Sequence, residues 1–198
     1  MLPDIDIIDK GHVLNAKEHD ELKRYLVEKC RTALRDMGWL SRILIESNPP
    51  TGDETEWYAG LWQGRFKREK GRVRAFETVI TLNSYFLRDI ESMKMVLAHE
   101  YGHNWTLGYL IMLDRIDTED DIIKQRVPWV YYRIRRLDPS MVVPHNNKWE
   151  YCDKEILAED YRCLFSGHRD NHEMAHLFGY PSTEVKDYLS TLCYRRHS

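Results

Sequence analysis

The sequence predicts an α+β fold: a small antiparallel sheet packed against a long helix, followed by a mostly helical C-terminal part. Three observations carry this prediction. Two runs with strand character, Trp57 to Phe66 and Val73 to Leu82, flank a charged turn in the first half of the chain. From about Ser92 to about Arg115 runs an apolar stretch long enough to require a helix. The segments beyond it read as further helices, and helices collected on one side of an antiparallel sheet make an α+β layout.

In chain order, Lys17 to Met37 carries apolar residues at Leu22, Tyr25, Leu26, Cys30, Ala33, Leu34 and Met37, the stripe of an amphipathic helix that Gly38 ends. Trp39 to Glu46 is short and β-branched, which suits a strand, and Ser47 to Gly52, with its Pro-Pro pair, is a loop. Next comes the hairpin, turning through Lys67 to Gly71. Its segment Arg65 to Arg74 is locally basic, which reads first as a solvated tip and second as a contact for an acidic substrate or nucleic acid. Asn83-Ser84 breaks the strand pattern before the apolar helix, and Asp117 to Asp121 breaks the chain after it. Residues 122–137 read as a helix, 138–147 as a loop, Trp149 to Phe165 as a second strongly patterned helix, and the part from Thr183 onward as a short one. There are no repeats or low-complexity tracts.

At 198 residues the whole chain reads as a single domain, long enough to bury a core. A net charge of −3, from 29 basic and 32 acidic residues, gives no general attraction to nucleic acid or to an anionic membrane. No stretch has the length of a transmembrane helix and the N-terminal residues lack an apolar signal core, so the expectation is a cytoplasmic protein. The four cysteines are far apart and form no CxxC pair. They read as reduced, mostly buried thiols, with a Cys152–Cys163 disulfide as the lesser alternative and no cysteine metal site.

The chemistry is concentrated in histidine. His99-Glu100-Tyr101-Gly102-His103 lies inside the apolar helical run, so both imidazoles stand on one face, one turn apart, and can reach one metal ion. Glu100 sits beside them, placed to accept a proton from an attacking water. His172-Glu173-Met174-Ala175-His176 spells the same pattern again. Context separates the two copies. The first has Met93, Met95, Val96, Leu97 and Ala98 before it and Trp105, Leu107, Leu110 and Ile111 after it, a setting that holds histidines rigid and dry. The second follows a polar lead-in and is closed by Gly179-Tyr180-Pro181, so its histidines read as surface residues of a loop or short helix. Gly102 permits close approach of a neighbouring element.

A catalytic zinc takes three protein ligands and keeps one position open. Glu155 and Glu159, four apart on the later patterned helix, suggest a ligand and a partner that orients a zinc histidine. With these residues in view, the H-E-x-x-H followed by paired glutamates resembles the gluzincin arrangement. The string Glu155-Ile-Leu-Ala-Glu-Asp-Tyr-Arg-Cys-Leu-Phe165 is similar to a signature of peptidases related to the catalytic domain of anthrax lethal factor, and Pro181 to Tyr188 is similar to the ending of such domains. The resemblance covers roughly Val73 to Leu189 and leaves the N-terminal helix and sheet portion, residues 1–70, without support. It implies a zincin-like fold, Glu155 as the third zinc ligand, and Glu159 as the support of a zinc histidine, His99. One departure stands out: Lys148 occupies the position, seven before Glu155, where the family has an oxyanion-stabilising tyrosine. Tyr151 is the nearest substitute, with His145, Tyr131 and Tyr132 as other candidates.

The function so implied is a zinc-dependent endopeptidase acting on a peptide or protein substrate, with Glu100 as general base and Tyr151 assisting the oxyanion. The strand Phe76 to Thr81 is expected to receive the extended substrate by strand addition. Two alternatives accompany it: a non-catalytic binding or regulatory protein that keeps zinc, and a dedicated peptidase cleaving one intracellular partner. An intact Glu100 favours catalysis, because a purely structural site has no use for that base.

Overall fold

The computed structural model describes residues 5–30, 39–50, 58–69, 72–113, 118–145, 148–168 and 171–192. The chain begins with strand β1 (Asp6–Asp9) and helix α1 (Ala16–Lys29). Asn15 starts α1 with a capping box: its side chain accepts the Lys17 and Glu18 backbone N–H groups, and Glu18 accepts the N–H of Asn15 in return. Leu22, Tyr25 and Leu26 bury the predicted stripe. The expected continuation to Met37 and the stop at Gly38 lie outside the described residues.

Strand β2 (Leu40–Glu46) follows, then the hairpin of β3 (Gly60–Glu69) and β4 (Arg72–Asn83). The sheet order is β1-β2-β4-β3. Only the β3–β4 pair is antiparallel; β1 with β2 and β2 with β4 are parallel. The expectation of an antiparallel sheet is thus corrected to a mixed one. The cause lies in the connections. Helix α1 carries the chain from β1 back to the start of β2, the crossover that a parallel pair needs. The chain then travels to the far edge for β3 and folds back, so β4 enters the middle of the sheet running the same way as β2.

A second correction follows from that order. Phe76 to Thr81, expected to receive a peptide, lies in β4, which is paired with β3 along this whole segment and with β2 from Thr78 onward. From Thr78 to Thr81 the strand has a neighbour on both sides and no edge to offer. Strand β3 is the edge on the side of the histidine helix.

One face of the sheet is core: Ile43, Ile45, Ile80 and Leu82 are fully buried beside Leu97, Ala98 and Tyr101 of helix α2 (Ile90–Leu113). The opposite face carries exposed Arg42, Glu77, Gln63 and Arg65 and meets solvent. Asp89 starts α2 by accepting the backbone N–H of Ser92 at 2.8 Å.

The stretch 122–137 is two short helices rather than one, α3 (Glu119–Lys124) and α4 (Trp129–Arg135). Pro128 explains the break, since it offers no N–H and forces an extended residue before it. A 3-10 turn at Trp149–Tyr151 then leads into α5 (Asp153–Phe165), followed by the single-turn α6 (Ala175–Phe178) and by α7 (Thr183–Leu192). Cys30, Cys152 and Cys163 are buried and outside any disulfide, so the Cys152–Cys163 bridge does not form. Among the described residues no helix is long and apolar enough to cross a membrane.

Candidate metal centre

Helix α2 presents His99 and His103 one turn apart, with ring centroids separated by 5.0 Å and planes at 81°. Helix α5 lies against this face and brings the third donor. The contact depends on Gly102, because a Cβ there would stand 2.7 Å from the carbonyl oxygen of Ala158. With no side chain between the two backbones, Glu155 reaches both imidazoles. Its Oε2 is 3.1 Å from His99 Nε2 and 3.2 Å from His103 Nε2.

These separations test whether a metal fits. Ligand atoms about 2.0–2.2 Å from a tetrahedral zinc lie about 3.3 Å from one another. One donor atom from each of His99, His103 and Glu155 falls within 4.8 Å of the others, and the two distances to Glu155 are close to the tetrahedral value. The triad can hold a metal ion.

Behind the donors stands a layer that orients them. Glu159, one turn on from Glu155, has Oε2 3.1 Å from His99 Nδ1, so that nitrogen keeps its proton when the ring is neutral and Nε2 is the one that can give way to a metal. Arg162 clamps Glu159 in turn, donating through Nε at 2.8 Å and through Nη2 to the other oxygen. The backbone N–H of Glu173 also donates to Glu159, at 2.8 Å. His103 differs: its Nδ1 is buried and has no hydrogen-bond partner among the described residues.

The charges follow this layout. Burial alone would lower the His99 pKa, but the carboxylates of Glu155 and Glu159 outweigh it and hold the imidazole up at about 10. Burial would raise Glu155, yet His103 and His99 hold it well below the usual carboxylate range. Glu159 is likewise held low against its burial, by Arg162 and His99. Glu100 moves the other way. Burial raises its pKa, with His103 and His99 only partly opposing. It is 6 % exposed and lies beneath β3, where the Trp62 backbone N–H bonds it and a Cβ on Gly60 would stand 2.6 Å from its Oε1.

Two cavities meet at these carboxylates. One, of about 500 Å³, runs along the edge strand from Gly60 to Arg65 and is lined also by Glu100, His103, His145, Lys154 and Glu155. The other, of about 560 Å³, lies on the His99 side and is lined by Tyr58, Gly60, Met95, Trp149, Glu155 and Glu173 among others. Gly60, Glu100 and Glu155 border both.

Among the candidates for the oxyanion, the structure separates one from the rest. Tyr151 packs edge-on against Phe178 and lines neither cavity. The Tyr131 hydroxyl is committed to buried Asp160, and that of Tyr132 to Asp153 and the Val142 carbonyl. Lys148, which stands in place of the expected tyrosine, is exposed at the start of the 3-10 turn. His145 alone of the four lines the cavity that holds His103, Glu100 and Glu155.

The second H-E-x-x-H needs a correction at its first residue. His176 is exposed as expected, but His172 is buried, with Nε2 2.8 Å from Asp160 on the far side of α5. Asp160 offers a buried carboxylate that draws the imidazole in. Sequence reasoning also missed Gly60, the Trp62 backbone and Arg162. Only Arg162 left a sequence signal, standing three residues after Glu159 on one helical face. No family model, curated protein or solved structure matches the chain.

Proposed function

We propose that the protein is a zinc-dependent endopeptidase of the gluzincin type. One observation carries the reading: two helical imidazoles and Glu155 converge beside the buried, pKa-raised Glu100, at the meeting of two cavities bordered by the edge strand β3. Two imidazoles and one carboxylate are a donor set suited to catalytic zinc. A zinc ion held by His99, His103 and Glu155 would supply Lewis acidity, polarising a carbonyl and making water more acidic.

The chain's own residues do the remaining work. The outer edge of β3 gives a peptide backbone hydrogen-bonding partners and lays it across the centre. Glu100, screened from solvent, accepts a proton from the attacking water and returns it to the leaving amine. Its raised pKa makes it a stronger base than a solvated carboxylate. Glu159 and Arg162 fix the tautomer and angle of His99. His145, set in the same cavity, is the side chain placed to donate to a developing oxyanion.

The test is Glu100→Gln, measured for bound metal and for peptide cleavage. The variant should retain metal at the wild-type ratio while hydrolysis falls by about 10²-fold or more. Cleavage at the wild-type rate by Glu100→Gln, or a wild type purified without chelator that takes up no zinc, would sink the reading.

A further inference from the structure

The two halves of the cleft differ in charge, and the difference has a direction. The cavity along β3 ends at Arg65, an exposed residue with no ion-pair partner among the described residues. Lys154 lines the same cavity, held by the carbonyls of Gln125 and Pro144 and lying 3.3 Å from Asp153. Beyond Arg65 the strand continues to Lys67, which pairs with Glu69 at 3.0 Å. Across the centre the second cavity has the opposite character. There Glu159 and Arg162 offset one another, while exposed Glu173 adds a negative rim to walls of Tyr58, Trp149 and Met95.

Strand β3 fixes which end of a substrate meets which charge. It runs from Gly60, at the donor set, toward Arg65. Antiparallel pairing is slightly stronger per residue than parallel pairing, and a peptide so paired runs the other way. Its N-terminal part lies along Arg65 and its C-terminal part enters the cavity of Trp149 and Glu173.

The geometry points to a charge-polarised substrate: an acidic segment on the N-terminal side of the scissile bond, read by Arg65, and a basic or aromatic residue just after the bond, read by Trp149 and Glu173. This rests on the peptidase reading and adds to it a substrate class and residues that select it. Arg65 is a specificity residue, outside the reacting atoms.

The test uses the zinc-loaded full chain in two arms. In the first, wild type and Arg65→Glu digest one combinatorial peptide library, and the flanks of each cut are counted. Wild type should favour Asp and Glu over Lys and Arg before the cut by about three- to tenfold, the range of a solvent-accessible ion pair to one with partial burial. Arg65→Glu should reverse that preference. Identical profiles, or an acidic preference after the cut, overturn the assignment while leaving the peptidase intact. In the second arm, a fluorescent peptide with an acidic N-terminal half is titrated into Glu100→Gln and into Glu100→Gln with Arg65→Glu. A loss of affinity of about threefold or more in the double variant supports the polarised groove even if the wild type cuts nothing, an outcome that would remove only the peptidase reading. Equal affinities of the two variants overturn the groove.

Discussion

At the scale of the residue, the centre is asymmetric. His99 has its Nδ1 tied to Glu159, whereas His103 Nδ1 is buried with no partner among the described residues. Supporting hydrogen bonds of this kind hold a ring in its binding tautomer, and losing one typically costs 10- to 100-fold in metal affinity. Glu159→Gln should therefore weaken metal binding by about that factor, because an amide can still accept from His99 but no longer balances Arg162. Glu155→Ala should remove a ligand and lower affinity further. Competition with a chromogenic chelator measures both. Equal affinity in wild type and Glu159→Gln would show that His99 needs no orienting carboxylate. The pair Glu155 and Glu159 was legible in the sequence, since two carboxylates four apart on a patterned helix must share a face. The places of His145 and Tyr151 were not. They depend on where the chain between elements comes to rest, and only the folded chain sets His145 in the cavity and Tyr151 against Phe178.

At the scale of the element, the centre is a helix crossing. Helices α2 and α5 touch through Gly102 and Ala158, and the reach of Glu155 to both histidines follows from that contact. Gly102→Val tests the dependence. Its side chain has nowhere to go but against the Ala158 backbone, and overpacking of this kind destabilises by about 1–3 kcal/mol. Valine recovers little of that through helix propensity. Denaturant unfolding should show the loss, and metal affinity should fall about tenfold or more as Glu155 retreats. A variant with unchanged affinity would mean that Glu155 reaches the histidines without the close crossing. Helix α2 could be read from the length of its apolar run, α5 from its pattern, and the β3–β4 hairpin from two strand-like runs around a charged turn. Strand direction could not, because a local pattern says which face is buried and nothing about which neighbour runs alongside. The four-residue β1 was too short to show any period, and without it the parallel half of the sheet stayed hidden.

At the scale of the whole molecule, the donors join the two halves of the fold. Glu155 and Glu159 belong to the helical C-terminal part, the histidines to the helix that backs the sheet, and a second buried cluster on the far side of α5 ties that helix to the C-terminal segment. There Asp160 accepts from Tyr131 at 2.7 Å and Arg135 at 2.8 Å and pairs with His172, while Arg135 also holds the carbonyls of Phe178 and Gly179. Helix α5 is thus pinned from behind by protein groups alone, and on its front it carries Glu155, which with His99 and His103 can hold a metal. A ligand that binds only the folded chain stabilises it by about 2.7 kcal/mol when present at 100 times its Kd. For a chain of this length that corresponds to a rise in Tm of about 5–10 °C. Removing the metal with a chelator should lower Tm by that amount without unfolding the protein at room temperature, since the Asp160 cluster and the apolar core persist. Restoring zinc should return the Tm, and in Glu155→Ala neither treatment should move it. A chelated protein that loses its far-ultraviolet dichroism outright would show instead that the metal is a structural clasp, which would weaken the case for an open catalytic position.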